Sequence, residues 1–349
     1  MVRGPRIAVV ALVALVGLQS GAAAQTLAFS LFERYLDSLR VQVGIPGMSA
    51  AIVQDGQLVW ERGFGLADVE TASPARPDTP YNIGNLTQVF TTLLLGQCAE
   101  SGRVFREDPI RRWVPLAPDP PATIRQVLSH TGGVTGTFKY DLGRFALLTN
   151  VVEQCTGEPF RRVLASRILT HSAMLDAVPG RDYAALSIND EPLFDAPTVQ
   201  KYAAIAQRMA VPYRVDKRGR AGRSDLPAPW INAATGLIAS VRDLAKFDAD
   251  LTGQLRPDTL VQIWTNEVVN GVATPSALGW FSQVYQGERL VWQFGTVADG
   301  YSALMLKVPT RRLTLILLAN SDGLTAPFSL QDGDVTSSLF VQPFLKLFL

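Results

Sequence analysis

Two strand-like runs, Met48 to Gln54 and Leu58 to Phe64, meet at Asp55-Gly56. A two-residue turn of this kind needs positive φ, which Gly and Asp accept readily, so the runs are expected to pair as an antiparallel hairpin. A helix precedes them. Leu27, Phe29, Leu31, Phe32, Leu36, Leu39 and Val41 form an apolar stripe with charges between, the pattern of one helical face. The far end of the chain mirrors this arrangement with three strand-like runs, Leu278 to Tyr285, Leu290 to Phe294 and Ser302 to Leu318. In the last, Leu313, Leu315 and Leu317 alternate with Thr314 and Ile316, as in a strand. Phe340 to Leu349 then reads as an apolar helix. Strands and helices at both ends predict an α+β fold: an antiparallel sheet formed from both chain ends and flanked by helices, with a mainly helical subdomain inserted. The site is expected at the seam between the halves.

The middle of the chain is mostly helical. Ala67 to Pro80 contains Pro74, Pro77 and Pro80 and reads as an extended loop. From Thr87 the positions Val89, Phe90, Leu93, Leu94, Leu95 and Cys98 follow helical spacing until Gly102. Thr123 to Ser129, Asp141 to Cys155, Glu158 to Leu169, Pro197 to Met209 and Val241 to Leu251 are further helical stretches. Between the last two lies a basic run, Lys217-Arg218-Gly219-Arg220-Ala221-Gly222-Arg223, read as a solvated hairpin tip in preference to an anion site.

Residues 1–24 resemble a cleavable signal peptide: Arg3 and Arg6, an apolar run from Ile7 to Leu18 too short to span a bilayer, then Ala22-Ala23-Ala24. A retained membrane anchor is the alternative. The expected mature chain is secreted or periplasmic, with no membrane span. Its expected organisation is one unit, with an α/β subdomain of residues 25–84 plus 232–349 and a helical subdomain of residues 85–231. Losing the leader shifts the formal net charge from +1 to −1, which gives no electrostatic reason to expect nucleic acid as a partner. Cys98 and Cys155 would be free to pair in an oxidising compartment, or could remain two buried thiols. With two histidines, His130 and His171, and no His-x-x-x-His or Cys-x-x-Cys spacing, no metal site is expected, and no cofactor.

Several stretches together resemble the serine β-lactamase and penicillin-binding-protein superfamily, in the branch of class C β-lactamases, D-alanyl-D-alanine peptidases and related esterases. They are Ile45-Pro46-Gly47-Met48-Ser49, Tyr81 to Gly102, Asp108-Pro109-Ile110 through Val114-Pro115, Ile124 to Gly133, Gly157-Glu158-Pro159-Phe160, Ala233 to Phe247, and Leu278-Gly279-Trp280 onward to Leu318-Ala319-Asn320. The resemblance implies a fold and a catalytic plan. In that plan a Ser-x-x-Lys pair at the start of a helix attacks an acyl carbonyl, the spacing of three placing both groups on one face. Asn85 and Gln88 stand at those positions here, and neither amide is a useful nucleophile or base near neutral pH.

Tyr140 matches the family's second-motif tyrosine, while Leu142 replaces its asparagine. The third motif, Lys-Thr-Gly or His-x-Gly, aligns best with Gln293-Phe294-Gly295, which keeps the glycine and loses the charge. The backbone N–H groups of Asn85 and Thr296 would form the remaining oxyanion pair. His130 resembles the family's His-Thr-Ser-Gly turn, whose role is to brace the helical subdomain. The resemblance therefore implies a pseudoenzyme with a ligand site at Asn85, Gln88, Tyr140, Leu142, Gln293, Gly295 and Thr296, suited to a cell-wall peptide or small polar ligand. The alternatives are a divergent hydrolase of the family, using for instance a water held by Gln88 and Tyr140, and a structural or regulatory envelope protein.

Overall fold

Asp55 and Gly56 take positive φ, 53° and 74°, and close the expected hairpin between β1 (Gly47–Gln54) and β2 (Gln57–Asp68). The computed structural model describes residues 25–117, 122–133, 136–187, 191–225 and 230–349, so the expected leader lies outside the described residues. β3 (Ser73–Pro74), β4 (Phe281–Tyr285), β5 (Glu288–Val297), β6 (Tyr301–Val308) and β7 (Leu313–Ala319) complete a 7-stranded sheet in the order β4-β5-β6-β7-β1-β2-β3. Every neighbouring pair is antiparallel. The two chain ends meet in mid-sheet, with Met48 opposite Ala319 and Gln54 opposite Leu313.

The helices are α1 (25–42), α2 (Gln88–Glu100), α3 (Ile124–Leu128), α4 (Leu142–Ala146), α5 (Leu148–Thr156), α6 (Phe160–Leu164), α7 (Ala196–Gln207), α8 (Val241–Gln254), α9 (Pro257–Ile263) and α10 (Gln342–Phe348). Alternation along the strands divides them between two cores. Met48, Ala50 and Ile52 join Leu315 and Leu317 in one core with Phe32 of α1 and Phe344 of α10. Ala51, Val53, Ile316 and Leu318 face the other, with α2 and α8, where Phe90 stacks on Phe247 at 4.2 Å between ring centroids.

The structure departs from the sequence expectations at five places. The run from Ser302 to Leu318 is two strands, split by a turn at Pro309–Arg311 in which Arg312 takes a φ of 50°; proline cannot donate to a strand ladder. Asp141 to Cys155 is two helices, because the chain tightens at Leu147, whose N–H bonds to the Arg144 carbonyl three residues back. The extended loop expected from Ala67 begins as the end of β2 and contains β3. α9 was not anticipated. The helix from Thr87, expected from the helical spacing of its apolar positions, is buried on all sides: Gln88 through Gly96 are inaccessible, including Thr91 and Thr92. A helix enclosed all round is a central one, around which other elements pack.

The question of the two cysteines is resolved. Cys98 of α2 and Cys155 of α5 form a disulfide, with Cα atoms 6.3 Å apart.

Candidate active-site region

The segment leading into α2 is fixed by backbone pairing. Tyr81–Asn82 pairs antiparallel with Ile238–Ala239, and Ile83 donates its N–H to the Leu237 carbonyl at 3.0 Å. A 3-10 turn, Gly84–Thr87, follows. Thr87 ties it back twice, donating to Gly84 O at 2.7 Å and accepting from Leu237 N at 3.2 Å. Asn85 therefore sits on a turn whose backbone is already held, one step before Gln88 opens the helix.

That spacing turns both amides toward Tyr140. Asn85 Nδ2 and Gln88 Nε2 donate to its hydroxyl at 3.2 and 3.1 Å. The other end of Gln88 is equally occupied: its Oε1 accepts from Gln293 Nε2 and pairs with His130 Nε2, each at 3.2 Å. Since His130 Nδ1 accepts the Asp141 N–H at 3.1 Å, the ring proton resides on Nε2, which donates to Gln88. Gln293 Nε2 also donates to Gly279 O at 3.0 Å, and its Oε1 accepts from Phe294 N. The result is a connected array of neutral groups.

Electrostatics follow from burial. Burial lowers the pKa of His130 to about 3, despite opposition from Asp141. Tyr140 is pushed above the usual phenol range by desolvation, with the Asn85 and Gln88 hydrogen bonds only partly offsetting it. Neither group is charged near neutral pH. The Tyr140 ring packs against His130 at 4.4 Å, Phe294 at 5.4 Å and Phe281 at 5.7 Å between centroids.

Above Tyr140 opens a cavity of about 560 Å³, lined by Asn85, Leu142, Thr296, Thr325 and Leu330 among others. Next to Asn85 and Thr296 of its lining, two backbones approach closely. A Cβ on Gly295 would fall 1.8 Å from Ile83 O, and one on Gly84 2.9 Å from Thr296 N. Glycine at both places lets the β5 backbone touch the Asn85 turn. Of the residues expected to meet a ligand, Asn85, Tyr140, Leu142 and Thr296 reach this cavity. Gln88 and Gln293 do not. They are 0% and 1% exposed and form the layer behind it, while Gly295 acts by the absence of a side chain.

Sequence reasoning gave His130 a bracing role apart from the site; in the structure it contacts Gln88 directly. Lys139, Thr325 and Leu330 of the cavity wall and Phe281 beneath Tyr140 were missed as site residues, because they come from a loop, the segment after β7 and a strand whose alternation marks burial and not a site. The hydroxyls of Thr296 and Thr325 share a hydrogen bond at 2.7 Å. Among the described residues, no hydroxyl lining the cavity bonds to a His or Lys side chain, and no cluster of three metal-ligating side chains occurs.

The family described as Beta-lactamase matches residues 31–336. The chain belongs to the beta-lactamase family. Among solved structures, this family member superimposes on the octameric penicillin-binding protein homologue from Pyrococcus abyssi with a TM-score of 0.73 at 22% identity, covering 91% of this chain and 77% of that one. It superimposes on the D-alanine carboxypeptidase AmpC from Burkholderia cenocepacia with a TM-score of 0.69 at 18% identity, covering 90% and 98%. The fold is thus that of β-lactamases and transpeptidases. Protein flp of Staphylococcus aureus (strain COL) is 25% identical over 305 residues, 79% of this chain and 60% of its own length. The human mitochondrial serine beta-lactamase-like protein LACTB is 30% identical over 106 residues, 28% of this chain and 19% of its own. The chain thus spans less than two thirds of either curated relative. No helix among the described residues is long and apolar enough to cross a membrane.

Proposed function

We propose that this beta-lactamase family member binds a small polar ligand or a cell-wall peptide in the cavity above Tyr140 without forming an acyl-enzyme. The observation that carries the reading is the engagement of Gln88 at both ends of its amide. Its amide oxygen takes two hydrogen bonds and its nitrogen serves Tyr140, so the group one helical step from Asn85 neither bears charge nor takes a proton. Removing the nucleophile of a concerted catalytic unit costs on the order of 10⁴ to 10⁶ in rate. What stays is a shaped cavity with Asn85, Tyr140 and Thr296 as polar contacts and Leu142 as an apolar one, supported from behind by Gln88, Gln293 and Gly295.

The same proposal places the protein outside the cytoplasm, after removal of residues 1–24, with the helical subdomain of residues 85–231 forming one wall of the site. The Cys98–Cys155 bond supports an oxidising compartment. A cell-wall peptide is a fitting ligand class, since the Burkholderia structural relative is described as a D-alanine carboxypeptidase.

Mass spectrometry of the intact protein after exposure to a penicillin and to a fluorophosphonate probe tests the chemistry. No adduct is expected on the native chain, and a stoichiometric adduct overturns the proposal. Asn85→Ser with Gln88→Lys is expected to gain slow acylation, weakened by Leu142 and Gln293. A folded double variant that never acquires an adduct would count against this placement of the site. Binding of an N-acylated D-alanyl dipeptide, lost in Asn85→Leu, separates a ligand-binding role from a structural one.

A further inference from the structure

A second cavity is anchored to the ribbon that holds Asn85. Ala210 donates its N–H at 3.0 Å to Pro80 O, immediately before that ribbon, and its carbonyl accepts the Tyr301 hydroxyl at 2.7 Å. Val211 donates to Ala67 O at 2.7 Å and Tyr213 to Asn320 O at 2.8 Å. Residues 210–213 therefore form a shelf fastened to segments far apart in the chain. Over it lies a cavity of about 320 Å³ whose lining includes Arg181, Arg223, Ser224, Asp225 and Tyr301.

The two arginines come from anchored backbone. Arg181 lies three residues beyond Val178, which exchanges backbone hydrogen bonds with Ile238 at 3.0 and 3.1 Å. Arg223 ends the short strand Ala221–Arg223, opposite Tyr213. Among the described residues neither guanidinium makes a hydrogen bond or ion pair, whereas Arg208 and Arg220 are engaged by Asp176 and Asp216. Arg181 and Tyr301 line the same cavity; burial raises the Tyr301 phenol and the Arg181 charge opposes that rise. Among the described residues of the lining Asp225 is the one carboxylate, against two arginines, so positive charge there is in excess by one. The basic run from Lys217 to Arg223 thus divides in two: its tip is a hairpin turn, while its last residue faces a cavity.

We propose that this second cavity binds a small oxyanion, the carboxylate or phosphate group of a small molecule, between the Arg181 and Arg223 guanidinium groups. Guanidinium presents paired N–H donors that match the oxygens of either group, and the shelf beneath is held before any ligand arrives. The lining shares no residue with the cavity above Tyr140, so the inference stands apart from the proposed function.

Calorimetric titration at low ionic strength with inorganic phosphate, and separately with acetate, tests it. Saturable binding of at least one anion is expected, and the pair of titrations tells phosphate from carboxylate. Arg181→Gln or Arg223→Gln should each weaken binding about threefold to tenfold, and the double variant should abolish it. Asp225→Asn should tighten binding, and Arg218→Gln, at the hairpin tip, should leave it unchanged. Absence of saturable binding to the native protein, or a folded double variant that binds like the native protein, overturns the proposal. Because both arginines are exposed, thermal melts of the variants should match the native one.

Discussion

His130 shows how one buried side chain sets the character of the whole site. Its Nδ1 accepts a backbone N–H and its Nε2 donates to Gln88, an arrangement open only to the neutral ring. Burial enforces that neutrality and lowers the pKa from the ordinary imidazole range to about 3. Below about pH 6.5 the unfolded chain takes up a proton that the folded chain refuses until about pH 3, so stability is full above this window and falls through it. The loss amounts to at most about 5 kcal/mol. Urea unfolding between pH 7 and pH 4 should therefore show a steeper fall for the native protein than for His130→Asn. Asparagine removes the titration and tolerates the φ of 56° at this position. Equal slopes would mean that His130 does not carry the pH dependence. Gln88 is the matching case without titration, since its two-ended amide joins His130, Gln293 and Tyr140 without placing a charge among them.

At the level of elements, the decisive contact is between the Gly84–Thr87 turn and β5. A strand and a turn can touch backbone to backbone only where a Cβ is missing, and Gly295 supplies that absence against Ile83 O. Gly295→Ala is expected to destabilise the protein by about 2 kcal/mol or more by overpacking and to displace the Asn85 turn. Gly253, exposed in α8 with nothing within 4 Å of an added Cβ, is the contrasting position. Gly253→Ala should stabilise by about 0.5–1 kcal/mol, because alanine is the better helix former. Differential scanning calorimetry of the two variants should give melting shifts of opposite sign, and like signs would refute the assignment of Gly295 as a contact glycine. The Asp55-Gly56 hairpin, by contrast, was readable in advance because its cause is local. Pro309 and Leu147 broke elements whose apolar patterns ran on unbroken, since periodicity records which face is buried and not where the backbone turns.

The whole molecule is closed by one covalent link and one sheet. The Cys98–Cys155 bond joins α2 to α5 across a sequence separation of 57 residues, and loop-closure entropy for such a span is worth about 4 kcal/mol. Cys98→Ala with Cys155→Ala should lower the urea midpoint by a corresponding amount, and an unchanged midpoint would show that packing alone holds the two helices. The disulfide itself was not decidable from sequence, because two cysteines on apolar helices look the same whether bonded or merely buried. The α+β layering, the helices at both ends and the family were legible, since alternation along β1 and β7 and the order of short motifs are properties of the chain itself. So were Asn85, Tyr140, Leu142 and Thr296 as neighbours of one cavity, through the positions the motifs occupy. Burial of α2 on every side, the retreat of Gln88 and Gln293 behind that cavity, the joining of His130 to Gln88 and the meeting of Arg181 and Arg223 in the lining of one cavity were decided only by the tertiary structure. Each depends on which distant segment comes to lie against a side chain, and solvent exclusion by those segments, rather than local sequence, fixes both the hydrogen-bond partners and the charge state.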